Sequence, residues 1–245
     1  MKQAPSFPPL LTGHRVSEGK PPAKQARVML NKGTVGAGDI LWSESSSSLR
    51  MSLVLEPEVE RARCGELLYL IMVAFGDAAG AISAPEVAIT YRWPSQILIN
   101  EASVGSADLI VADCNDEEVP AWMIASLDIL IKPQRIEVNP GENPEITSMW
   151  EEGCGDISRT ELLESVSRHI VNWIHTWSED GFKPVHDQWK GRTSRSGDLI
   201  SGIGEGEFIG LDESGNALLK AKSGIVSLDT IETVEKLRAM TAQQS

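Results

Sequence analysis

Residues 87–112 read VAITYRWPSQILINEASVGSADLIVA. Three runs rich in aliphatic and β-branched residues, 87–92, 96–99 and 108–112, are separated by the tight sequences WPS and NEASVGS. Short apolar runs bounded by proline, glycine, asparagine or serine are typical of β-strands, and connections this short join antiparallel neighbours. We therefore expect this stretch to form an antiparallel meander.

A β-hairpin is expected upstream of the meander. Gly38–Ser43 is short and apolar, and large apolar residues occupy every second position from Leu49 to Leu55. That period is typical of a half-buried strand. The serines at 45–48 are most simply the hairpin turn, and Ala121–Ile131 is a further apolar strand candidate.

Two long amphipathic helices are predicted, one on each side of the meander in the sequence. The first begins near Pro57, a residue suited to an opening helical turn, and ends near Gly80. The second follows the capping-box pair Ser158 and Glu161 and runs to Gly181. Strands and helices therefore occur in separate groups along the chain, as in an α+β fold.

The two ends of the chain have different patterns. Residues 1–34 are expected to form an extended lead-in, because the first 27 residues hold five of the thirteen prolines and show little hydrophobic periodicity. Gly191–Gly197 is typical of a linker. After it, short strand-like runs alternate with glycine turns, which predicts a small β-barrel over residues 193–245. The main domain is then 35–192.

The chain is acidic, with 35 Asp and Glu against 22 Lys and Arg among its 245 residues and a formal net charge of -13. This charge repels nucleic acid phosphates and anionic membrane surfaces unless a basic patch is present, and the sequence shows none. It contains neither a signal peptide pattern nor a clean apolar run of about 18 residues. We therefore expect a soluble, cytoplasmic protein that binds neither nucleic acid nor membranes.

The cysteines argue against a disulfide or zinc framework. Cys64, Cys114 and Cys154 are far apart in the sequence and form no CxxC pair. Cys154, in the loop sequence EEGCGD, is the thiol with the strongest claim to reactivity. No metal site is predicted either, because Asp108 and the aspartates that follow it are typical solvated residues.

Local motifs, taken in order, resemble those of the biotin and lipoate protein ligases. The sequence Arg92-Trp93-Pro94-Ser95-Gln96, followed by ILIN, is similar to the family's Lys-Trp-Pro-Asn-Asp turn and the strand after it. Gly210–Gly215 is similar to a Gly-Leu-Asp-x-x-Gly step in the family's terminal barrel. The resemblance covers roughly residues 35–235. It implies a mostly antiparallel sheet flanked by helices, related to the class II synthetase fold, with an SH3-like C-terminal barrel.

The resemblance also implies a chemistry for which this chain lacks the usual cations. Such ligases join the carboxylate of biotin or lipoate to AMP and pass the acyl group to a lysine of a carrier domain, and the negative charge requires cations. The family takes them from a loop rich in glycine and arginine between the first two strands and from a lysine beyond the Trp-Pro turn. Here the loop is reduced to Ser45–Ser48, and neither 33–49 nor 93–131 contains Lys or Arg. Ser103 is nearest to the missing lysine.

Three functions remain open from the sequence. The first is a ligase-like protein with lost or altered activity that binds an acyl ligand or a carrier domain. The second is an active ATP-dependent biotin, lipoate or octanoate ligase in which Arg92, or a cation such as Lys132, contacts the phosphate. ATP and biotin or lipoate are cofactors only in that case. The third is an interaction module for a carrier domain, and a homodimer is compatible with all three.

The candidate ligand-binding site follows from the Trp-Pro turn. No catalytic residue is assigned. Since four serines can do no more than turn the chain, we expect an open and shallow site near Trp93 rather than an enclosed one. The candidate ligand-binding residues are Arg92, Trp93, Pro94, Ser95, Gln96 and Ser103.

Overall fold

The computed structural model describes residues 4–133, 145–193, 203 and 206–243. The strands are β1 (Thr12–Val16), β2 (Asp39–Ser43), β3 (Ser48–Leu55), β4 (Ile89–Arg92), β5 (Gln96–Ile99), β6 (Ala102–Val111), β7 (Met123–Leu130), β8 (Glu207–Leu211), β9 (Ala217–Ala221) and β10 (Gly224–Leu228). The helices are α1 (Pro22–Asn31), α2 (Glu66–Ile82), α3 (Arg159–Asp180), α4 (Lys183–Gly191) and α5 (Thr230–Gln243).

The meander and the hairpin belong to one seven-stranded sheet with the order β1-β2-β3-β7-β6-β5-β4. All neighbouring strands are antiparallel except β1 and β2, which are parallel. Strand β6 begins earlier than predicted, because Asn100 and Glu101 alone make the turn, with φ of 50° and 74°. Gly105 lies inside β6, where a Cβ atom would come within 2.0 Å of the Asp128 carbonyl oxygen.

Both faces of this sheet are covered. On one face, here the core face, α2, α3 and α4 pack over the main hydrophobic core, which includes Met51 and Leu127. On the other, here the second face, α1 packs over a smaller cluster that includes Val54 and Ile124. Strand β3 is therefore buried along most of its length rather than half-buried as its alternation predicted.

The first 34 residues are not an extended lead-in. Strand β1 pairs with β2, and α1 packs on the second face through the fully buried Ala26. Pro22 lies in the first turn of α1, where its fixed φ and missing N–H suit a helix. The prediction was wrong here because prolines that open a helix were interpreted as extended chain.

The two long helices are present, but only the start of the second was predicted correctly. Ser158 caps α3, its hydroxyl accepting a hydrogen bond from the Glu161 amide at 3.1 Å, as predicted. Helix α2 begins at Glu66 instead of near Pro57, after a short 3₁₀ turn over Arg61–Arg63. The helical stretch 61–82 is apolar and long enough to cross a membrane, but 78% of its most apolar window is buried inside the fold. It is therefore a core helix of this fold.

The C-terminal region contains a three-stranded sheet, β10-β9-β8, followed by α5. Helix α5 was not predicted. The closed SH3-like barrel stays a prediction, and most of the expected linker lies outside the described residues, as do residues 134–144. The mixed α+β architecture, with a large sheet flanked by helices, is confirmed.

The three-stranded sheet packs against the main domain through an aromatic cluster. The Tyr69 hydroxyl on α2 donates to the Gly215 carbonyl oxygen at 2.5 Å and lies 2.9 Å from the Thr230 hydroxyl. Phe208 of β8 stacks on Trp93, with ring centroids 6.4 Å apart. The C-terminal region is thus joined to the rest of the fold by buried contacts.

Candidate functional site

The Trp-Pro turn connects β4 to β5, and its tryptophan belongs to the core. Trp93 is 2% exposed, and its indole Nε1 donates to the Tyr69 hydroxyl at 2.8 Å. A buried Trp N–H needs such an acceptor, which fixes the ring in place. Trp93 therefore holds the turn against α2 instead of lining a ligand cavity.

The residues on either side of the turn begin a polar row that crosses the second face. Arg92 pairs with Gln96, Gln96 with Ser106, Ser106 with Asp128, and Asp128 with Arg50. Paired residues on neighbouring strands point to the same face. The row is tied at both ends: Arg92 Nη1 donates to Gln96 Oε1 at 3.2 Å, and Arg50 Nε lies 3.0 Å from Asp128 Oδ2.

A second polar row lies beside the first. Asp108 pairs with Ser126, and Ser126 with Ser52, whose hydroxyl lies 2.8 Å from that of Ser126. Arg238 of α5 holds Asp108 with two nitrogens, Nη2 at 2.8 Å from Oδ1 and Nε at 3.0 Å from Oδ2. The next residues along the same strands, Ile110 and Ile124, are apolar and lie under α1. The second face is therefore apolar under α1 and polar beside it.

The polar part of the second face is the floor of a cavity of about 540 Å³, here the sheet cavity. One wall is the start of α1, and the opposite wall is α5. A volume of this size is within the range of small-molecule sites. The lining includes Arg50, Ser52, Ser95, Ser106, Asp108, Ser126, Asp128, Leu237 and Arg238.

The charges in the lining of the sheet cavity cancel. Its two arginines, Arg50 and Arg238, are each paired with an aspartate, Asp128 and Asp108. The polar groups that remain are hydroxyls. Among the described lining residues there is therefore no guanidinium without a carboxylate partner, and the lining offers hydroxyls rather than uncompensated charge.

The structure separates the six predicted site residues. Ser95 lines the sheet cavity, whereas Arg92 and Gln96 continue one of its floor rows beyond the lining. Pro94 is buried in the turn with Trp93. Ser103 lies outside the lining, where its amide donates to the Glu145 carbonyl oxygen at 2.8 Å.

Arg92 and Lys132, the two cations proposed from the sequence as phosphate contacts, have different surroundings. The Nε of Arg92 is buried and has no hydrogen-bond partner among the described residues. The Nζ of Lys132 bonds Asp156 Oδ1 at 2.6 Å, and neither of these residues lines the sheet cavity. Of the two, Arg92 is the one adjacent to the cavity floor.

Sequence reasoning missed most of the cavity, although part of the signal was present. Ser106 and Asp108 alternate with apolar residues in β6, and Ser126 and Asp128 do the same in β7. Such alternation predicts a polar sheet face. No comparable signal marked Arg238, which reaches the site from a helix more than a hundred residues further along the chain.

The scaffold is a large, mostly antiparallel sheet with core helices on one face and a polar cavity on the other. Together with the buried Trp-Pro turn, it is the scaffold of a ligase-like α+β protein. Residues 7–191 match the model of the Biotin/lipoate A/B protein ligase family. The chain belongs to that family. The match includes β1 and α1, which the resemblance from the sequence left out.

Individual relatives agree with this assignment. The chain is 25% identical over 189 residues to a biotin--[acetyl-CoA-carboxylase] ligase of Paracoccus denitrificans, covering 75% of this chain and 78% of the relative. It is 31% identical to a biotin protein ligase-like protein of unknown function from Silicibacter sp. TM1040, whose crystal structure superposes with a TM-score of 0.85 over 94% of this chain and 99% of that one.

A more distant solved structure shares the fold. Biotin protein ligase from Aquifex aeolicus, in complex with biotin and ATP, has 20% identity and a TM-score of 0.68, covering 91% of this chain and 96% of that one. At this identity the likeness concerns the fold alone.

Proposed function

We propose that this chain is a biotin/lipoate ligase-like protein with lost or altered ligase activity, and that it binds a small acyl ligand in the sheet cavity. The observation that carries the proposal is the cancelled charge of the lining, in which Asp128 and Asp108 neutralise Arg50 and Arg238. Adenylate formation brings a carboxylate and a phosphate together. A site without an uncompensated cation stabilises that charge poorly.

The expected effect of a missing cation on the rate of adenylate formation is large. Removing one preorganised donor from an oxyanion site costs about 100- to 1000-fold in kcat, or ~3–4 kcal/mol. Here the reduced loop at Ser45–Ser48 offers hydroxyls, which bond one another: Ser48 Oγ lies 3.1 Å from Ser45 Oγ. That turn also accepts the amides of Ile131 and Lys132 at the Ser47 carbonyl oxygen, so it is held against β7.

What the sheet cavity retains is suited to a ligand of low charge density. The Ser52 and Ser126 hydroxyls can donate and accept, and Leu237 and Val234 supply an apolar wall. Biotin, lipoate and octanoate each combine an apolar chain with polar groups. A carrier domain that bears such a group is the protein partner that the proposal implies.

A second candidate function is an active ligase that uses Arg92. The observation that favours it is the buried Nε of Arg92, which lacks a partner among the described residues and lies on the floor row next to the cavity. In that case Arg92→Ala would abolish adenylate formation. If ligase activity is lost, Arg92→Ala has no adenylate formation to remove.

The test is a comparison of turnover and binding. The purified chain is incubated with ATP, an acceptor carrier domain and either biotin, lipoate or octanoate, and pyrophosphate release is measured beside ligand-induced thermal shift. We expect a shift with at least one acyl ligand, because a ligand that binds the folded state raises the Tm. We expect no pyrophosphate release above the protein-free rate. Clear turnover would establish the active ligase instead.

A substitution tests the charge argument directly. Asp128→Asn removes the partner of Arg50 and leaves the sheet cavity with a net positive charge, so it should increase affinity for ATP. One released cation is expected to give about a tenfold gain, equivalent to ~1.4 kcal/mol. The matched control is Asp156→Asn, which releases Lys132 away from the cavity. Equal gains in both variants would show that the position of the cation is irrelevant.

A further inference from the structure

Helix α5 differs between its two halves in how it is held. In the first half Ile231 and Val234 are 4% and 3% exposed, and Thr230 bonds Tyr69 and the Gly215 carbonyl oxygen. In the second half Met240 is 43% exposed, and the neighbouring Ala239 and Thr241 are exposed as well. The first half is part of the core, whereas the second half lies on the surface.

The second half of α5 nevertheless forms a wall of the sheet cavity. Leu237, Arg238 and Thr241 line it, opposite the start of α1. This half is tied to the sheet by the Arg238 fork on Asp108, with Nη2 also donating to the Leu109 carbonyl oxygen at 2.6 Å. One turn earlier in α5, Glu235 lies near Arg61, whose Nη2 is 3.6 Å from Glu235 Oε1.

We propose that the second half of α5 is a lid over the sheet cavity, latched by the Arg238–Asp108 ion pair. Segments with few buried apolar contacts open at a lower free energy than the core, and helix ends open first. Here the residues that wall the cavity on this side belong to the weakly buried half. Release of Arg238 from Asp108 and Leu109 therefore exposes more of the cavity floor while Ile231 and Val234 stay packed.

The lid regulates the site on which the proposed function rests, but its motion can be measured without a ligand. A thiol is placed on the cavity floor by Ser126→Cys, in a Cys114→Ser background that removes the partly exposed native cysteine. Ser126 is 9% exposed, and the other two cysteines are buried. The rate of maleimide labelling at position 126 then reports opening of the lid.

Two substitutions on α5 separate the latch from general effects on the helix. Arg238→Gln removes the ion pair and should increase the labelling rate about tenfold, the factor that corresponds to ~1.4 kcal/mol. Lys236→Gln removes a surface pair with Glu232, 3.7 Å apart and outside the cavity lining, and should leave the rate unchanged. Equal rates for Arg238→Gln and the parent would overturn the lid.

Hydrogen exchange on the unsubstituted chain provides a second readout that no engineered cysteine can disturb. Amides of residues 237–241 should exchange faster than those of Thr233 and Val234, of which the Thr233 amide bonds the Asp229 carbonyl oxygen, and Arg238→Gln should widen the difference. Exchange of all of α5 at the rate of global unfolding would also overturn the proposal. Titration with biotin, lipoate and octanoate tests separately whether the sheet cavity binds an acyl ligand. If none of them binds but the latch controls labelling, the lid stands and the proposed ligand fails.

Discussion

Burial decides which of the three thiols in this chain can react. Desolvation raises the pKa of Cys64 to about 11, and burial also raises the pKa of Cys154. The thiolate is the nucleophile, so a raised pKa and poor access both slow reaction. Cys154 lies in a loop, but its amide bonds the Met149 carbonyl oxygen at 3.0 Å and its side chain is turned inward. Its position in a loop made Cys154 the thiol with the strongest claim to reactivity, but burial argues against that role.

We expect Cys114, the partly exposed thiol, to react first. At pH 8 a thiol with a pKa near 11 is about one thousandth thiolate, which leaves Cys64 unreactive in the native state. The measurement is labelling with a disulfide reagent followed by peptide mapping. Cys114→Ser should remove the fast phase, and Cys154→Ser should preserve it. A fast phase that disappears with Cys154→Ser would contradict this assignment.

The candidate site could be predicted from the sequence only as far as strand alternation reaches. Ser106, Asp108, Ser126 and Asp128 lie at alternate positions of two strands, which places them on one face once the strands are paired. The pairing itself depends on register, and the alternation does not reveal it. Arg238 could not be found in this way, because its contact with Asp108 depends on where α5 packs. For the same reason Asp108 was interpreted as a solvated residue.

At the scale of elements, long-range contacts explain the boundaries that the sequence missed. The chain before α2 is held by the Arg61 and Ala62 amides, which donate to the carbonyl oxygens of Glu118 and Asp116. These bonds hold the start of the 3₁₀ turn against the 116–118 loop instead of in an α-helix, and α2 starts at Glu66. The strands of the meander and the two long helices, by contrast, follow from local periodicity and caps.

The three-stranded sheet depends on one close approach to α2, and a glycine makes it possible. Gly215 has φ +85°, and a Cβ there would lie 2.8 Å from Tyr69 Cε2. Gly215→Ala should therefore suffer both backbone strain and overpacking against the ring. We expect the free energy of unfolding, measured in urea, to fall by about 2–6 kcal/mol, from ~1–3 kcal/mol for each effect.

Gly224 gives the matched control for this prediction. It also has a positive φ, +120°, but nothing lies within 4 Å of the position a Cβ would take. Gly224→Ala should cost backbone strain alone, about 1–3 kcal/mol. If the two alanine variants were equally destabilised, the contact between Gly215 and Tyr69 would contribute nothing to docking of the small sheet.

At the scale of the whole molecule, a single sheet serves two different purposes through its two faces. The core face is fully apolar and holds α2, α3 and α4, whereas the second face is divided between an apolar cluster under α1 and the polar floor of the sheet cavity. The C-terminal region contacts both sides of this arrangement, through Phe208 and Tyr69 on one side and Arg238 on the other. The two regions are therefore coupled by buried contacts.

This coupling predicts that the two regions unfold together, even though the sequence divides them at residues 192 and 193. Tryptophan fluorescence reports the main domain, which holds all seven tryptophans, and senses the boundary through two of them, Trp93 and Trp189, which contact Phe208. Far-UV circular dichroism reports all helices and strands. We expect the two signals to give coincident urea transitions, as in a two-state system.

Phe208→Ala should lower both midpoints together, by an amount equivalent to about 2–3 kcal/mol. This is less than the ~3–5 kcal/mol expected for a fully buried phenylalanine, because Phe208 is only partly buried. Two separate transitions in the parent chain would show instead that the C-terminal region folds independently, and that its contacts with Tyr69 and Asp108 are too weak to transmit stability.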